Sequence, residues 1–171
     1  MNFRNASISD AAKIKKLYLS VAKNEGGIAR LEDEVTDGYI SGFLNKSLKD
    51  GIILVALNEN EIVGEIHAYK AGIRVFEHVL TDLTIAVSPD HQGKGIGKKL
   101  FLSFLETVKT EHHNIARVEL IARESNRKAI QFYESIGFKI EGRFEKRIKT
   151  TLNTFEADIP MGWLNPNYQL S

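Results

Sequence analysis

Apolar positions along this chain change rhythm several times, and each change marks an element. Residues 2–6 read as a short strand. Ser7-Ile8-Ser9-Asp10 has the form of a capping box, and Ile14, Leu17, Tyr18 and Val21 follow at helical spacing. Gly26-Gly27 closes that helix. A second begins near Thr36, carries Tyr39, Ile40, Phe43, Leu44 and Leu48, and stops at Gly51. The rhythm then tightens. Ile52–Leu57 and Glu61–Tyr69 flank Asn58-Glu59-Asn60 as two strands of a hairpin. Lys70–His78 fits neither period. Val79–Val87 is rich in strand formers, and Pro89 forbids its continuation. From Gly95 the pattern is helical again, with Ile96, Leu100, Phe104 and Val108 on one stripe and Lys98, Lys99 and Lys109 off it. Ala116–Ala122 reads as a strand and Asn126–Ile136 as a helix closed by Gly137 at the left-handed position. Two strands follow, around Phe138–Arg143 and Phe155–Trp163. The order is that of a mixed α/β chain with a strand–helix–strand crossover at its centre.

A chain of 171 residues suits one domain, so residues 1–171 are expected to form a single unit. The 23 basic and 22 acidic side chains leave a net charge of +1, which gives no reason to expect a nucleic-acid track. There are no cysteines, so disulfides, thiolate metal sites and a cysteine nucleophile are excluded together. The apolar runs are too short to span a bilayer and the N-terminal residues have no apolar signal core. A soluble cytoplasmic protein without membrane or nucleic-acid partners is the expectation.

The segment His91-Gln92-Gly93-Lys94-Gly95-Ile96-Gly97-Lys98-Lys99-Leu100 places three glycines at alternate positions where a strand gives way to a helix. Backbone amides and the helix dipole converge at such a turn and favour a phosphate. Two familiar phosphate motifs fail here. A P-loop needs Ser or Thr after Gly97-Lys98, where Lys99 stands, and the dinucleotide fingerprint needs a glycine at Lys98.

What remains, a strand ending before Pro89 and then Gln92-Gly93-Lys94-Gly95-Ile96-Gly97, resembles the pyrophosphate loop of the GNAT superfamily of acetyl-CoA-dependent N-acetyltransferases. A second match follows: Asn126-Arg127-Lys128-Ala129-Ile130-Gln131-Phe132-Tyr133-Glu134-Ser135-Ile136-Gly137-Phe138 resembles that family's N-x-x-A-x-x-F-Y-E-x-x-G-F block. The resemblance covers roughly Gly51 to Phe138. The tail Gly142–Trp163 is similar to the closing strands of both small-molecule and ribosomal-protein acetyltransferases.

The resemblance implies a GNAT-type fold, a central, mostly antiparallel mixed sheet flanked by helices. Its parallel pair would be Val79–Val87 and Ala116–Ala122, splayed to admit a pantetheine arm. It implies that Gln92, Gly93, Lys94, Gly95, Ile96, Gly97 and Lys98 hold the pyrophosphate, with Gln92 bracing the loop. Ile85, Ala86 and Val87 would lie along the arm with Asn126, Phe132 and Tyr133. Glycine is expected at 93, 95 and 97 because a Cβ would block close approach or a positive φ. Asn126 also reads as a helix cap. Tyr133 is the expected general acid for the departing thiolate, against the alternative of a core aromatic.

Asp82 sits where relatives carry a glutamate base, but its side chain is shorter. Alternation puts Asp82, Thr84 and Ala86 on one face, a parity that a bulge would upset, and Glu65 and His67 rival Asp82. His112-His113 diverge too far on a helix to share a metal, and read as a solvated helix end. No metal is expected.

The implied activity is transfer of an acetyl group from acetyl-CoA to a primary amine of a small molecule by direct attack. A protein N-terminus or lysine as acceptor, and a non-catalytic CoA-sensing domain, are the alternatives. A homodimer is left open.

Overall fold

The computed structural model describes residues 1–24, 27–150 and 152–170. Along the chain lie β1 (Asn2–Asn5), α1 (Ala11–Ala22), α2 (Asp37–Asp50), β2 (Gly51–Asn58), β3 (Glu61–Tyr69) and β4 (Val79–Val87). Then come α3 (Ile96–Glu111), β5 (Arg117–Arg123), α4 (Arg127–Ser135), β6 (Lys139–Ile140), β7 (Phe144–Lys149) and β8 (Phe155–Leu164). The strands form one sheet in the order β1-β2-β3-β4-β5-β8-β6, with β7 also pairing β8. Every pairing but one is antiparallel. The exception is β4 with β5, which are held in register only at Val79–Arg117 and Leu80–Val118. Beyond Leu80 the strands part.

Each face of the sheet carries its own core. On one, α3 buries Ile96, Leu100, Phe101, Phe104, Leu105 and Val108 against Ile66, Leu80, Val118 and Leu120. On the other, Ile14, Leu17, Tyr18 and Val21 of α1 join Ile40, Phe43 and Leu44 of α2 over Ile53, Val55 and Ala86. These are the helical stripes expected from the spacing, with one correction: Leu48 is exposed and Ser47 is the buried residue. The i, i+3, i+4, i+7 series from Ile40 runs through 43, 44 and 47, so 48 falls one step round the helix.

The segments without a clear rhythm differ most from expectation. Lys70–His78 contains a single 3₁₀ turn at Arg74–Phe76. The strand expected over Phe138–Arg143 is reduced to Lys139–Ile140, and a further strand, Phe144–Lys149, follows it. Gly26, half of the expected stop to α1, lies outside the described residues. No described helix is long and apolar enough to cross a membrane.

The entry to α1 is fixed by Asp10. Its carboxylate accepts from the Ser7 backbone N–H (2.9 Å) and hydroxyl (3.1 Å) and from both Arg4 amino groups (2.7 and 2.8 Å). This is the acidic half of the expected capping box, extended by a bidentate arginine. The Arg4 hydrogen bonds hold the carboxyl at about 2, below its ordinary 3.8. A depressed folded value means that the stabilisation is complete above the ordinary value and is lost as pH falls through about 2. Asp10→Asn should therefore cost about 1–2 kcal/mol near neutrality, after discounting for Arg4's partial exposure. It should cost almost nothing near the acid end of that window. Urea unfolding at the two pH values checks this; an equal loss at both would assign the effect to packing.

Candidate active site

The turn after β4 is built to expose backbone amides. Gly93 and Gly95 take left-handed φ values of 74° and 76°. A Cβ placed on either would meet nothing within 4 Å, so the conformation and the open space in front, rather than crowding, favour glycine here. Gly97 has no positive φ, and its Cβ would make ordinary contacts with Val87 and Ile85, so neither conformation nor crowding within the chain requires glycine there. Gly95 is the N-cap of α3 and offers no side chain. The Lys99 N–H bonds the Gly95 carbonyl, so the amides before it point out of the helix end.

Gln92 braces the loop, its side-chain amide donating to the Val87 carbonyl at 3.3 Å. Lys94 does the same from the other side, its ammonium on the Asp90 carbonyl at 2.9 Å. Lys99 stays outside on the helix surface. Lys98 belongs to the walls of two adjoining hollows. One, of about 400 Å³, is bounded by Val87, His91, Gln92, Gly93, Gly95, Ile96, Gly97 and Lys98. The other, of about 300 Å³, is bounded by Ile85, Val87, Gln92, Gly97 and Lys98, by Phe101, Asn126, Ala129, Phe132 and Tyr133, and by Val21 and Gly27.

That second cleft joins residues from both sides of the sheet, because the opening between β4 and β5 lets it through. Ile85 and Val87 flank the opening. Ala86, expected beside them, is buried in the opposite core under α1 and α2, so its side chain does not line the cleft. Alternation along the strand puts it there.

Asn126 caps α4, its side-chain oxygen accepting from the Ala129 N–H at 3.2 Å. The preceding turn is pinned by Ser125, whose N–H and hydroxyl both reach Glu156. Tyr133 packs its ring 5.1 Å from Phe101 and 5.7 Å from Phe132. Burial pushes its phenol up to about 12, so it stays protonated through the neutral range. A phenol that high is a poor donor to a thiolate in water. A thiolate leaving in the same apolar cleft is destabilised by the same desolvation, which narrows the gap.

Asp82 sits on a bulge. The register between β3 and β4 slips between His67–Thr84 and Tyr69–Thr81, and Asp82 takes a φ of 53°. Its exposed carboxylate faces Tyr69, whose phenol is pushed up to about 12 by burial and then by that charge. Tyr39 stands close by with the Arg30 guanidinium 4.8 Å above its ring. Glu65 and His67 are buried behind this group, with Tyr18.

Val21, Gly27, Phe101 and Ala129 were not expected in the cleft wall: Val21 reads as a helical core position, Gly27 as part of a helix stop and Ala129 as a position of the second motif, and Phe101 carries no signal of its own. His91 was also missed. Its Nδ1 is closed off from solvent without a partner among the described residues, beside the loop hollow. His112, expected to be solvated, is half-buried at the end of α3, and burial lowers its pKa.

Comparison with known proteins agrees with this geometry. Residues 49–140 match the profile of the acetyltransferase (GNAT) domain. The chain belongs to that family, the acetyl-CoA-dependent N-acetyltransferases its motifs resemble. It is 26% identical over 148 residues to the L-amino acid N-acyltransferase MnaT of Escherichia coli, a match covering 82% of this chain and 80% of the relative. It is 33% identical to the spermidine N(1)-acetyltransferase of the same species, over 50% of this chain and 48% of the relative. In structure it is similar to a GNAT acetyltransferase from Streptococcus pneumoniae (TM-score 0.86, 23% identity, 95% and 98% of the two chains). It is also similar to yncA from Salmonella typhimurium, solved with its cofactor acetyl-CoA (TM-score 0.84, 17% identity, 100% and 97%).

The loop fits a pyrophosphate: outward amides, open space before them and a brace on each side. Gly95→Asp should leave the fold intact, since Asp tolerates a left-handed φ. It would set a carboxylate against the phosphates, so calorimetry should register at least about a hundredfold loss of acetyl-CoA affinity. Wild-type affinity would contradict the loop assignment.

Proposed function

We propose that this chain, acting as one domain, transfers the acetyl group of acetyl-CoA to a primary amine of a small molecule by direct attack. The observation that carries this is the cleft that runs from the glycine loop through the β4–β5 opening to α1, with Tyr133 in its wall. Acetyl-CoA would supply an activated acetyl thioester. The chain's part is to hold and orient. Gly93 to Lys98 take the pyrophosphate. Ile85, Val87 and Phe132 exclude water from the arm, and Asn126 reaches it from the head of α4. Backbone amides of β4 beyond Leu80, which β5 leaves without partners, polarise the carbonyl. Tyr133 gives its proton to the sulfur as the C–S bond breaks. Asp82, exposed beside Tyr69, draws the ammonium form of the acceptor.

A small acceptor is favoured by the breadth of one match. The amino-acid acyltransferase aligns with 82% of this chain, whereas the ribosomal-protein bS18 alanine acetyltransferase of E. coli aligns with 40%. A screen of amino acids, polyamines and peptide N-termini for free-thiol release from acetyl-CoA tests the reading. Turnover only with peptides would favour a protein acceptor. Tight acetyl-CoA binding with no acceptor would leave a sensing domain.

Tyr133→Phe should lower kcat by about 10²–10⁴-fold when chemistry limits, with acetyl-CoA affinity nearly unchanged, because the proton matters only in the transition state. With the phenol at about 12, the wild-type rate should show no alkaline loss from Tyr133 ionisation up to about pH 10. Single-turnover kinetics showing an unchanged rate in the Phe variant would reduce Tyr133 to a packing aromatic.

A further inference from the structure

Tyr18, Glu65 and His67 are distant in sequence, yet they form one buried hydrogen-bonded group under α1. The Tyr18 hydroxyl donates to Glu65 Oε2 at 2.6 Å, and His67 Nδ1 lies 3.0 Å from Glu65 Oε1. Their relative exposures are 0%, 0% and 2%. A carboxylate so buried can persist ionised only if donors satisfy it; the Tyr18 hydroxyl serves Oε2, and His67 Nδ1, 3.5 Å from that same hydroxyl, is the group placed to serve Oε1. Glu65 therefore demands a proton on His67 Nδ1. That choice of tautomer leaves the lone pair of a neutral imidazole on Nε2.

Nε2 has no hydrogen-bond partner among the described residues. The residue keeps 2% of its surface exposed. The ring is clamped, with Phe43 stacked at 4.1 Å and Tyr69 parallel at 6.1 Å. A carboxylate that fixes the tautomer and packing that fixes the plane are what a general base requires.

The location suits that role. His67 pairs with Thr84 of β4, on the face that α1 and α2 cover. Val21, one helical turn from Tyr18, is in the wall of the cleft, so the cluster lies behind that wall rather than in it. The groups around the ring are Tyr18 from α1, Glu65 and Tyr69 from β3, Tyr39 from α2 and Asp82 from the β4 bulge, with Arg30 and Lys46 over the rings of Tyr39 and Tyr69.

We infer that His67, oriented by Glu65 and Tyr18, accepts the proton that the acceptor amine sheds, directly or through one water, with Asp82 kept for attracting that amine. This rests on the acetyltransferase reading above. The nitrogen–carbon bond forms as the carbon–sulfur bond breaks. The ammonium that Asp82 attracts first gives one proton to water, which frees its lone pair; Nε2 takes the second, lost by nitrogen as the new bond forms, and Tyr133 gives the one gained by sulfur. A proton on Nε2 turns a buried group of net negative charge into an ion pair, so the cluster can hold what it receives. Glu65 and Tyr18 are positioning residues.

The test uses the full chain with L-methionine sulfone and spermidine, acceptors of two relatives, as probes. Wild-type kcat/KM should rise with pH through one ionisation. His67→Gln should lose that inflection and about 10²–10⁴-fold in rate while acetyl-CoA affinity is kept. Asp82→Asn should raise the acceptor KM and leave the inflection in place. Glu65→Gln should lower kcat without changing acetyl-CoA affinity. An inflection that survives in His67→Gln at near wild-type rate overturns the proposal. Nitrogen-15 spectra of the wild-type histidines read the same claim without turnover or variants: Nδ1 should carry the proton in neutral His67. A proton fixed on Nε2 overturns it, even if neither amine is an acceptor. Failure of both amines with the expected tautomer would count against the acetyltransferase reading of these probes and support the imidazole geometry.

Discussion

The parting of β4 and β5 is the constraint on which the rest of the molecule turns. Parallel strands held at two register pairs are committed elsewhere along most of their length: β4 pairs β3 over Gly64–Tyr69, and β5 pairs β8 from Arg117 to Arg123. Each is held along its length by its antiparallel partner, and past Leu80 no register pair joins the two. Backbone groups on the facing edges are left without ladder partners, at a cost that a bound chain of amides and carbonyls can offset. A sheet that would otherwise separate two cores is thereby pierced between them.

That opening sets the catalytic groups proposed above in opposite layers. Tyr133 and the glycine loop belong to the side of α3 and α4; Glu65, His67 and Asp82 belong to the side of α1 and α2. In the proposed mechanism, proton supply to sulfur and proton removal from nitrogen would be separated by the thickness of the sheet edge. The bulge at Asp82 serves the same division, because it turns one carboxylate to the surface while Glu65 stays inside.

Elements with a strong period were legible in the sequence: the hairpin, the α3 stripe, the stop at Pro89 and the two motifs. Gly93 and Gly95 could be marked because left-handed turns restrict residue choice so sharply. Phe144–Lys149 could not be seen, since a strand reading Phe-Glu-Lys-Arg-Ile-Lys offers little apolar face and forms only because β8 is there to pair with it. The buried cluster was also hidden. Glu65 and His67 stood out as polar residues in a strand, but the Tyr18 that completes the group is 47 residues away and sat on an ordinary helical stripe. Ala86 was placed along the cleft by the family resemblance, whereas the sheet's alternation decides which side chains face it.

A crystal structure of the chain with a non-hydrolysable acetyl-CoA analogue would test the central claim most directly. The account predicts the pyrophosphate on the amides of Gly93 to Lys98 and the pantetheine arm passing between β4 and β5. The sulfur should lie about 3 Å from the Tyr133 hydroxyl, within hydrogen-bond reach, with the acetyl group emerging on the His67 side. An arm that runs over the surface of α3, or a thioester on the far side of Tyr133 from β3, would contradict it.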